Sequence, residues 1–130
     1  MSFIQLRSAF FDNDARPLLT TSAATSIGST SADGNGNVIT DRGSTITERG
    51  FCWSTSTPPT TADNKVIVAG TTGIFTGSMT GLSASTTYYY RSYAINDFGT
   101  GYGDIWVFTT TAVGEATTYA PTWMMMGIGY

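Results

Sequence analysis

The chain has 130 residues, enough for one domain, and it is 41% hydrophobic and 13% aromatic but only 12% charged, whereas an average soluble domain is about 25% charged. The net charge is −3 and the six basic residues are scattered, which argues against a nucleic-acid partner because phosphate binding needs a concentrated positive face. The sequence contains no histidine, so the usual Ser–His and Cys–His nucleophiles are excluded.

The sequence predicts one β-rich body between two arms. Residues 1–17 form an N-terminal arm, residues 18–111 the body, and residues 112–130 a linker followed by an apolar C-terminal arm. No stretch approaches the ~20 apolar residues that cross a bilayer. The N-terminus lacks the basic region and long apolar run of a signal peptide. We therefore expect no membrane insertion and, if Met1 is the native start, synthesis and release in a cytoplasm.

The N-terminal arm carries large apolar side chains outside the predicted body. Such side chains are an aggregation hazard when they are exposed. We therefore expect them to dock on a partner protein. The residues concerned are Phe3, Ile4, Leu6, Phe10 and Phe11.

Short β-type runs follow, separated by Gly, Pro, Asn and Asp at roughly 8 to 12 residues, the spacing of a sandwich or barrel. The predicted strands are Leu18–Ser22, Ser29–Ile39, Ile46–Ser54, Val66–Ala69, Ile74–Met79, Thr86–Ile95 and Gly101–Thr110. Within the second strand, Asp33-Gly34-Asn35-Gly36 taken alone predicts a two-residue hairpin turn instead.

Alternation along these strands predicts which side chains face the core. Trp53 and Trp106 are expected in the core. Arg49, Arg91 and Tyr93 are expected on the outer face of one sheet. There they would bind a sugar or a protein, or support the sheet by stacking Arg on Tyr, and the supporting role is favoured.

Three segments carry a family resemblance: 47–56, 82–96, and 98–103 followed by 108–110. The second resembles the E-to-F corner and F strand of fibronectin type III domains, and all three together resemble the bacterial subtype found in secreted multidomain proteins. The family has Pro where this chain has Ala84, and it usually follows an export signal. The residues that this resemblance makes fold-defining are Phe51, Trp53, Leu82, Tyr88, Tyr90, Trp106 and Phe108.

The resemblance implies an antiparallel β-sandwich of about seven strands. It makes Tyr88 the corner tyrosine, whose hydroxyl returns to upstream backbone, with Leu82 beneath it. It also places 33–37 inside strand B and moves the turn to 41–43. We prefer this alignment to the local hairpin.

Catalytic and metal sites have weak support in the sequence. Paired carboxylates would serve a glycosidase, but the candidates lie in or beside turns, where Asp is common for backbone reasons. Cys52 between two aromatic residues indicates a structural thiol. Calcium would need only oxygen ligands, yet no ordered calcium loop is present, and we expect no cofactor. The carboxylates considered are Asp33, Asp41, Glu48, Asp63, Asp97 and Asp104.

The C-terminal arm is the strongest functional signal, because it is apolar and lies beyond the body. It can fold back, add a strand to a neighbour's sheet or fill a neighbour's groove. We expect docking on a neighbour. Its apolar docking residues are Trp123, Met124, Met125, Met126, Ile128 and Tyr130.

These features favour a non-enzymatic virion subunit of a bacterial virus: a decoration, fibre or tail-associated protein. Virus assembly in the host cytoplasm needs no export signal. The expected partners are other subunits of a capsid or tail, or further copies of the chain, with a cell-surface glycan as a secondary ligand. The alternative is a spacer or adhesion repeat from a secreted bacterial surface or glycan-processing protein, located outside the cell.

Overall fold

The computed structural model describes residues 14–113, which build an antiparallel β-sandwich. Hydroxyl-bearing, β-branched and aromatic residues fill its strands, as expected for pleated, half-buried surfaces. The strands are β1 Leu18–Thr25, β2 Ala32–Thr40, β3 Glu48–Ser54, β4 Asn64–Ile67, β5 Gly73–Met79, β6 Thr87–Asn96, β7 Gly99–Tyr102 and β8 Trp106–Thr109.

Two sheets face each other. The first sheet has the order β1-β2-β5, and the second has the order β4-β3-β6 with β7 and β8 both alongside β6. β8 pairs with the first half of β6 and β7 with the second half. The pair therefore acts as one interrupted final strand, and the predicted all-β antiparallel sandwich is confirmed.

The interruption of the last strand corrects the prediction of one continuous strand over 101–110. Gly103 sits where a Cβ would lie 2.4 Å from the hydroxyl oxygens of both Thr21 and Ser92. Its N–H donates to the Ser92 carbonyl at 3.0 Å. β1 therefore packs directly over the chain at this point, and the final strand breaks to let it approach.

The core is centred on Phe51, whose ring lies flat against backbone of the first sheet. A Cβ on Gly34 would lie 3.0 Å from Phe51 Cγ and Cδ1, one on Gly36 would lie 3.2 Å from Cε1, and one on Gly77 would lie 3.1 Å from Cδ2. Glycine is needed at these sites for close approach rather than for a turn. The local hairpin reading is thus wrong and the strand assignment right, and the chain turns at Arg42 and Gly43, which both have positive φ.

Around Phe51 the sandwich is closed by buried apolar side chains. The other members of this cluster are Leu19, Ala32, Val38, Ile46, Trp53, Phe75, Met79, Leu82, Tyr88, Tyr90, Ala94 and Phe108.

The corner between β5 and β6 has the arrangement that the resemblance implied. Tyr88 is buried, and its hydroxyl accepts a hydrogen bond from the Ser83 N–H at 2.8 Å. Its ring stacks on Phe108 at 5.8 Å between centroids. Leu82 is buried, and its N–H donates to the Thr30 carbonyl at 3.0 Å. The corner therefore ties both sheets together at one end of the sandwich.

The two ends of the described chain lie at opposite poles. At the first pole, the Ala15 carbonyl accepts a hydrogen bond from Asn96 at the end of β6. At the second pole, the Thr111 N–H donates to Gly28 and the Thr111 carbonyl accepts from Ser85. The N-terminal arm therefore joins the body at one pole and the C-terminal arm at the other.

Candidate interaction surfaces

Arg49 is not on the outer face where it was predicted to lie. It has the same parity along β3 as Phe51 and therefore points between the sheets, where it is 8% exposed. Its guanidinium donates to the carbonyls of Ala69 at 2.7 Å and Thr71 at 3.0 Å. It also lies 4.5 Å from the Phe75 ring centroid. Arg49 thus fastens the loop between β4 and β5, and burial lowers its pKa.

Arg91 does lie on the outer face of the second sheet, but it is engaged within the chain. Its Nε donates to the Pro59 carbonyl at 2.8 Å, and its guanidinium carbon lies 3.7 Å from the Tyr102 ring centroid. The Tyr102 hydroxyl in turn accepts from the Thr61 N–H at 3.3 Å. Arg91 therefore holds the loop between β3 and β4 against the sheet. This geometry corresponds to support of the sheet by an Arg stacked on a Tyr, and Tyr102 is the stacking partner.

Tyr93 shares that outer face, yet it is fully buried, which corrects its prediction as a surface residue. Its hydroxyl donates to Glu48 Oε2 at 2.5 Å, and Lys65 Nζ lies 2.8 Å from the same oxygen. Burial, followed by this contact with a carboxylate, raises the pKa of Tyr93. Hydrogen bonds from Lys65 and Tyr93 lower the pKa of Glu48. Tyr93, Glu48 and Lys65 thus bind one another and support the sheet. Arg49, Arg91 and Tyr93 do not form one exposed binding face.

Cys52 on β3 lies opposite Arg91 on β6 and is fully buried. Desolvation raises the pKa of its thiol to about 11. A protonated, inaccessible thiol is a poor nucleophile. This placement matches the structural reading of Cys52.

The two tryptophans expected in the core differ in environment. Trp53 is buried at 6% exposure, whereas Trp106 is 41% exposed, so its prediction as a core residue is wrong. Its Nε1 donates to the Thr21 carbonyl at 2.8 Å. Trp106 closes the seam between β8 and β1 from the edge, because the preceding strand break carries it to the margin of the sandwich.

Four of the six candidate carboxylates, those of Asp33, Asp41, Glu48 and Asp63, are engaged in separate contacts. Asp41 accepts from the Gly43 N–H at 3.0 Å, and Asp63 accepts from the Thr60 N–H at 2.8 Å. Asp33 accepts from the Ser78 hydroxyl at 3.1 Å across two strands. Within residues 14–113, His, Cys, Asp and Glu do not gather in groups of three or more suited to a metal ion. The same range has no helix able to cross a bilayer.

The predicted docking residues of both arms lie outside the described residues. These are Phe3, Ile4, Leu6, Phe10, Phe11, Trp123, Met124, Met125, Met126, Ile128 and Tyr130. The junction of the N-terminal arm is described. There the Asp14 carboxylate pairs with Arg16 at 2.9 Å, and its backbone carbonyl accepts from Arg42 at 2.8 Å. A cleft of about 270 Å³ beside them reaches Tyr102.

The outer face of the first sheet bears exposed apolar residues that the sequence reading missed. Ile74 on β5 is 82% exposed, and Ile39 on β2 and Leu18 on β1 are half exposed. Alternation of β5 with Phe75 inward already places Ile74 outward, so the signal was present in the sequence.

Comparisons with known proteins locate the fold. No protein family model matches the chain, and no curated protein matches it. In structure, it is similar to the sensor domain of the anti-sigma factor RsgI4 in Pseudobacteroides cellulosolvens, with a TM-score of 0.54, 18% identity, and 75% of this chain and 96% of that chain covered. It is also similar to the sixth fibronectin type III domain of human fibronectin type III domain containing protein 3, with a TM-score of 0.51, 22% identity, and 80% and 89% covered.

A further fibronectin type III domain of that human protein has a TM-score of 0.52 at 17% identity, over 77% of this chain and 91% of that chain. At such identities the likeness concerns the fold. The chain is therefore a fibronectin type III-like module, and its assignment to a bacterial subtype stays a prediction.

Proposed function

We propose that the chain is a non-enzymatic binding and assembly module, a decoration, fibre or tail-associated subunit of a bacterial virus that is anchored by its two terminal arms. The observation that carries the proposal is that the sandwich buries its own apolar residues while further apolar residues lie beyond it in the sequence. The sandwich of residues 14–113 buries its own core. Residues 117–130 add a Trp, three Met and an Ile beyond it.

The burial of the reactive side chains in the sandwich supports a binding role over catalysis. The side chains that could react most readily, Arg49, Tyr93 and Cys52, are all buried, and their contacts support the fold. A catalytic group needs access to substrate and a tuned proton affinity. The fold's neighbours are fibronectin type III and sensor domains, which is consistent with a module that recognises rather than transforms its partner.

The positions of the two ends support anchoring at both poles. The N-terminal arm joins beside Asn96 and the C-terminal arm beside Gly28 and Ser85. A subunit held this way contacts a neighbour through each arm, leaving the outer faces of the sheets for display. Further subunits of a capsid or tail, or other copies of this chain, are the proposed partners, and a cell-surface glycan is a secondary one.

The same placement of the ends favours a second candidate, a spacer or adhesion repeat of an extracellular protein. Modules strung in a row enter at one pole and leave at the other. In such a repeat the residues after 113 connect to another module instead of docking on a separate subunit. The genes next to the coding sequence separate the two candidates.

The test of the proposed function targets the C-terminal arm. Residues 117–130 are deleted, and a control chain carries the same residues in scrambled order, which keeps composition but removes specific contacts. Incorporation into the native particle and self-association by sedimentation are then measured. We expect both variant chains to lose incorporation into the particle, while the sandwich unfolds at an unchanged temperature. Incorporation equal to that of the parent chain in both variants contradicts it.

A further inference from the structure

The sandwich has four strand edges, and three of them are protected against pairing with other chains. β1 is irregular, with register shifts between Leu18 and Leu19 and between Ser22 and Thr25. β4 is only four residues long and carries Lys65. β7 and β8 are separated by the break at 103–105. Shortness, charge and irregularity are the devices by which natural sheets block edge-to-edge association.

The fourth edge, β5, has none of these protections. It spans seven residues without a charge or a proline, and it pairs with β2 in unbroken register from Met79 to Gly73. Along its other side it has no paired strand in the part of the chain that the structure describes. Its outward Ile74 is 82% exposed. Unpaired backbone groups beside an exposed apolar side chain form a template for another strand.

We infer that β5 is the docking edge for residues 3–11 of a second copy of this chain, which add to the first sheet as an extra strand. The inference rests on the proposed function and names the surface and partner for one arm. Residues 2–11 contain neither Pro nor Gly. Ile4, Leu6 and Phe10 share one parity, as strand addition requires. The C-terminal arm suits a strand less, because Pro121, Gly127 and Gly129 interrupt it.

The junction of the arm favours a neighbouring copy over the arm's own sandwich. Ala15 is tied to Asn96 in the second sheet, and Asp14 to Arg42 in the turn after β2. Residues 11–13 span at most about 10 Å. A strand added outside β5 would lie two strand spacings from β2, roughly 10 Å, so the arm of the same copy would use up this length before residue 11 reached that edge. An arm from another copy meets no such constraint.

The experiment is sedimentation velocity on the full chain, with matched substitutions. Ile74→Lys places a charge on the free edge. Ile39→Lys makes the same change on the same face, one strand inward on β2. Ile4→Asp combined with Leu6→Asp alters the arm. Both isoleucines are exposed, so the fold is kept, and thermal unfolding verifies this for each variant.

The unmodified chain is expected to self-associate. Ile74→Lys and the arm variant are each expected to weaken association about tenfold or more, while Ile39→Lys leaves it nearly unchanged. A synthetic peptide of residues 2–12 in excess is expected to dissociate the copies. Amide exchange over 73–79 slows on association, a change that follows from strand pairing but not from side-chain contact alone.

Three results overturn the inference. Equal loss with Ile39→Lys and Ile74→Lys indicates a general effect of charge on that face. Association that survives the arm variant indicates another occupant. A monomeric chain indicates that no second copy docks, including the case in which amides 73–79 are protected by the chain's own arm. In each of these cases, a chain that still enters the native particle leaves the proposed function standing.

Discussion

Gly34 offers the sharpest test of how the core is built, because the structure requires it for close packing while its local sequence resembles a turn. In Gly34→Ala the new Cβ would lie 3.0 Å from Phe51 Cγ and Cδ1 and from Tyr90 Cε2. Carbon atoms in contact prefer about 3.5–4.0 Å. Two buried rings must therefore shift by about half an ångström.

Overpacking of this kind costs about 1–3 kcal/mol, and replacing Gly by Ala within a strand returns about 0.5–1 kcal/mol. We expect a net loss of about 1–2 kcal/mol in the free energy of unfolding, with each kcal/mol lowering Tm by about 4–8 °C in a domain of this size. Denaturant and thermal unfolding measure both quantities. In the control Gly28→Ala, the nearest atom to the new Cβ is the Ser31 carbonyl oxygen at 3.6 Å, so the change should stay within about 0.5 kcal/mol.

A double-mutant cycle assigns the loss to the Phe51 ring. Phe51→Leu removes the aromatic ring that faces Gly34, so Gly34→Ala should cost less in that background. The coupling should be about 0.5 kcal/mol or more. Gly34→Ala with parental stability, or a cycle whose two changes simply add, would refute the packing argument.

Three further predictions concern the corner, the Glu48 carboxylate and the thiol. Tyr88→Phe should lower the free energy of unfolding by about 1 kcal/mol, because the Ser83 N–H loses its acceptor. An unchanged Tm would show that this hydrogen bond does not stabilise the corner. Glu48 has a pKa below its unfolded value, from hydrogen bonds with Lys65 and then Tyr93, so its contribution is complete above the unfolded pKa and lost as pH falls through the folded pKa. Acid titration of stability should therefore be shallower in Glu48→Gln than in the parent. Cys52, with its pKa raised to about 11, should resist thiol-labelling reagents at pH 8 until denaturant is added, and rapid labelling of the folded chain would contradict its burial.

Local patterns predicted most of the strands, apart from the break in the last one. The corner came from the family resemblance, which made Tyr88 the corner tyrosine with Leu82 beneath it. Strand alternation placed Trp53 in the core, where it lies. The fold class follows from these short-range regularities together with the family resemblance.

Long-range contacts account for what the sequence did not predict. Tyr93 has outward parity but is buried, because Glu48 on β3 and Lys65 on β4 close over it. Trp106 has inward parity but is exposed, since the break at Gly103 carries it to the margin. Arg49 shares the inward parity of Phe51, so strand alternation alone would have placed it between the sheets.

The unprotected edge at β5 was also beyond a strand-by-strand reading. An edge is a property of the sheet order, which places β5 beside β2 alone. Only when the order is known does an uncharged run such as 73–79 become a docking candidate. The arms drew attention in the sequence because their composition is apolar, but the surface that would receive one of them depends on topology.

If the sandwich is complete in itself and other molecules shelter its arms, the sandwich should fold alone and the arms should drive association. Sedimentation velocity and thermal unfolding, applied to the full chain and to a chain of residues 14–113 at matched concentrations, test this. We expect a shortened chain that is monomeric and unfolds cooperatively at nearly the same temperature at every concentration, and a full chain that associates as concentration rises. A full chain that stays monomeric throughout and unfolds well above the shortened one would show that both arms pack on their own sandwich, and would contradict the claim.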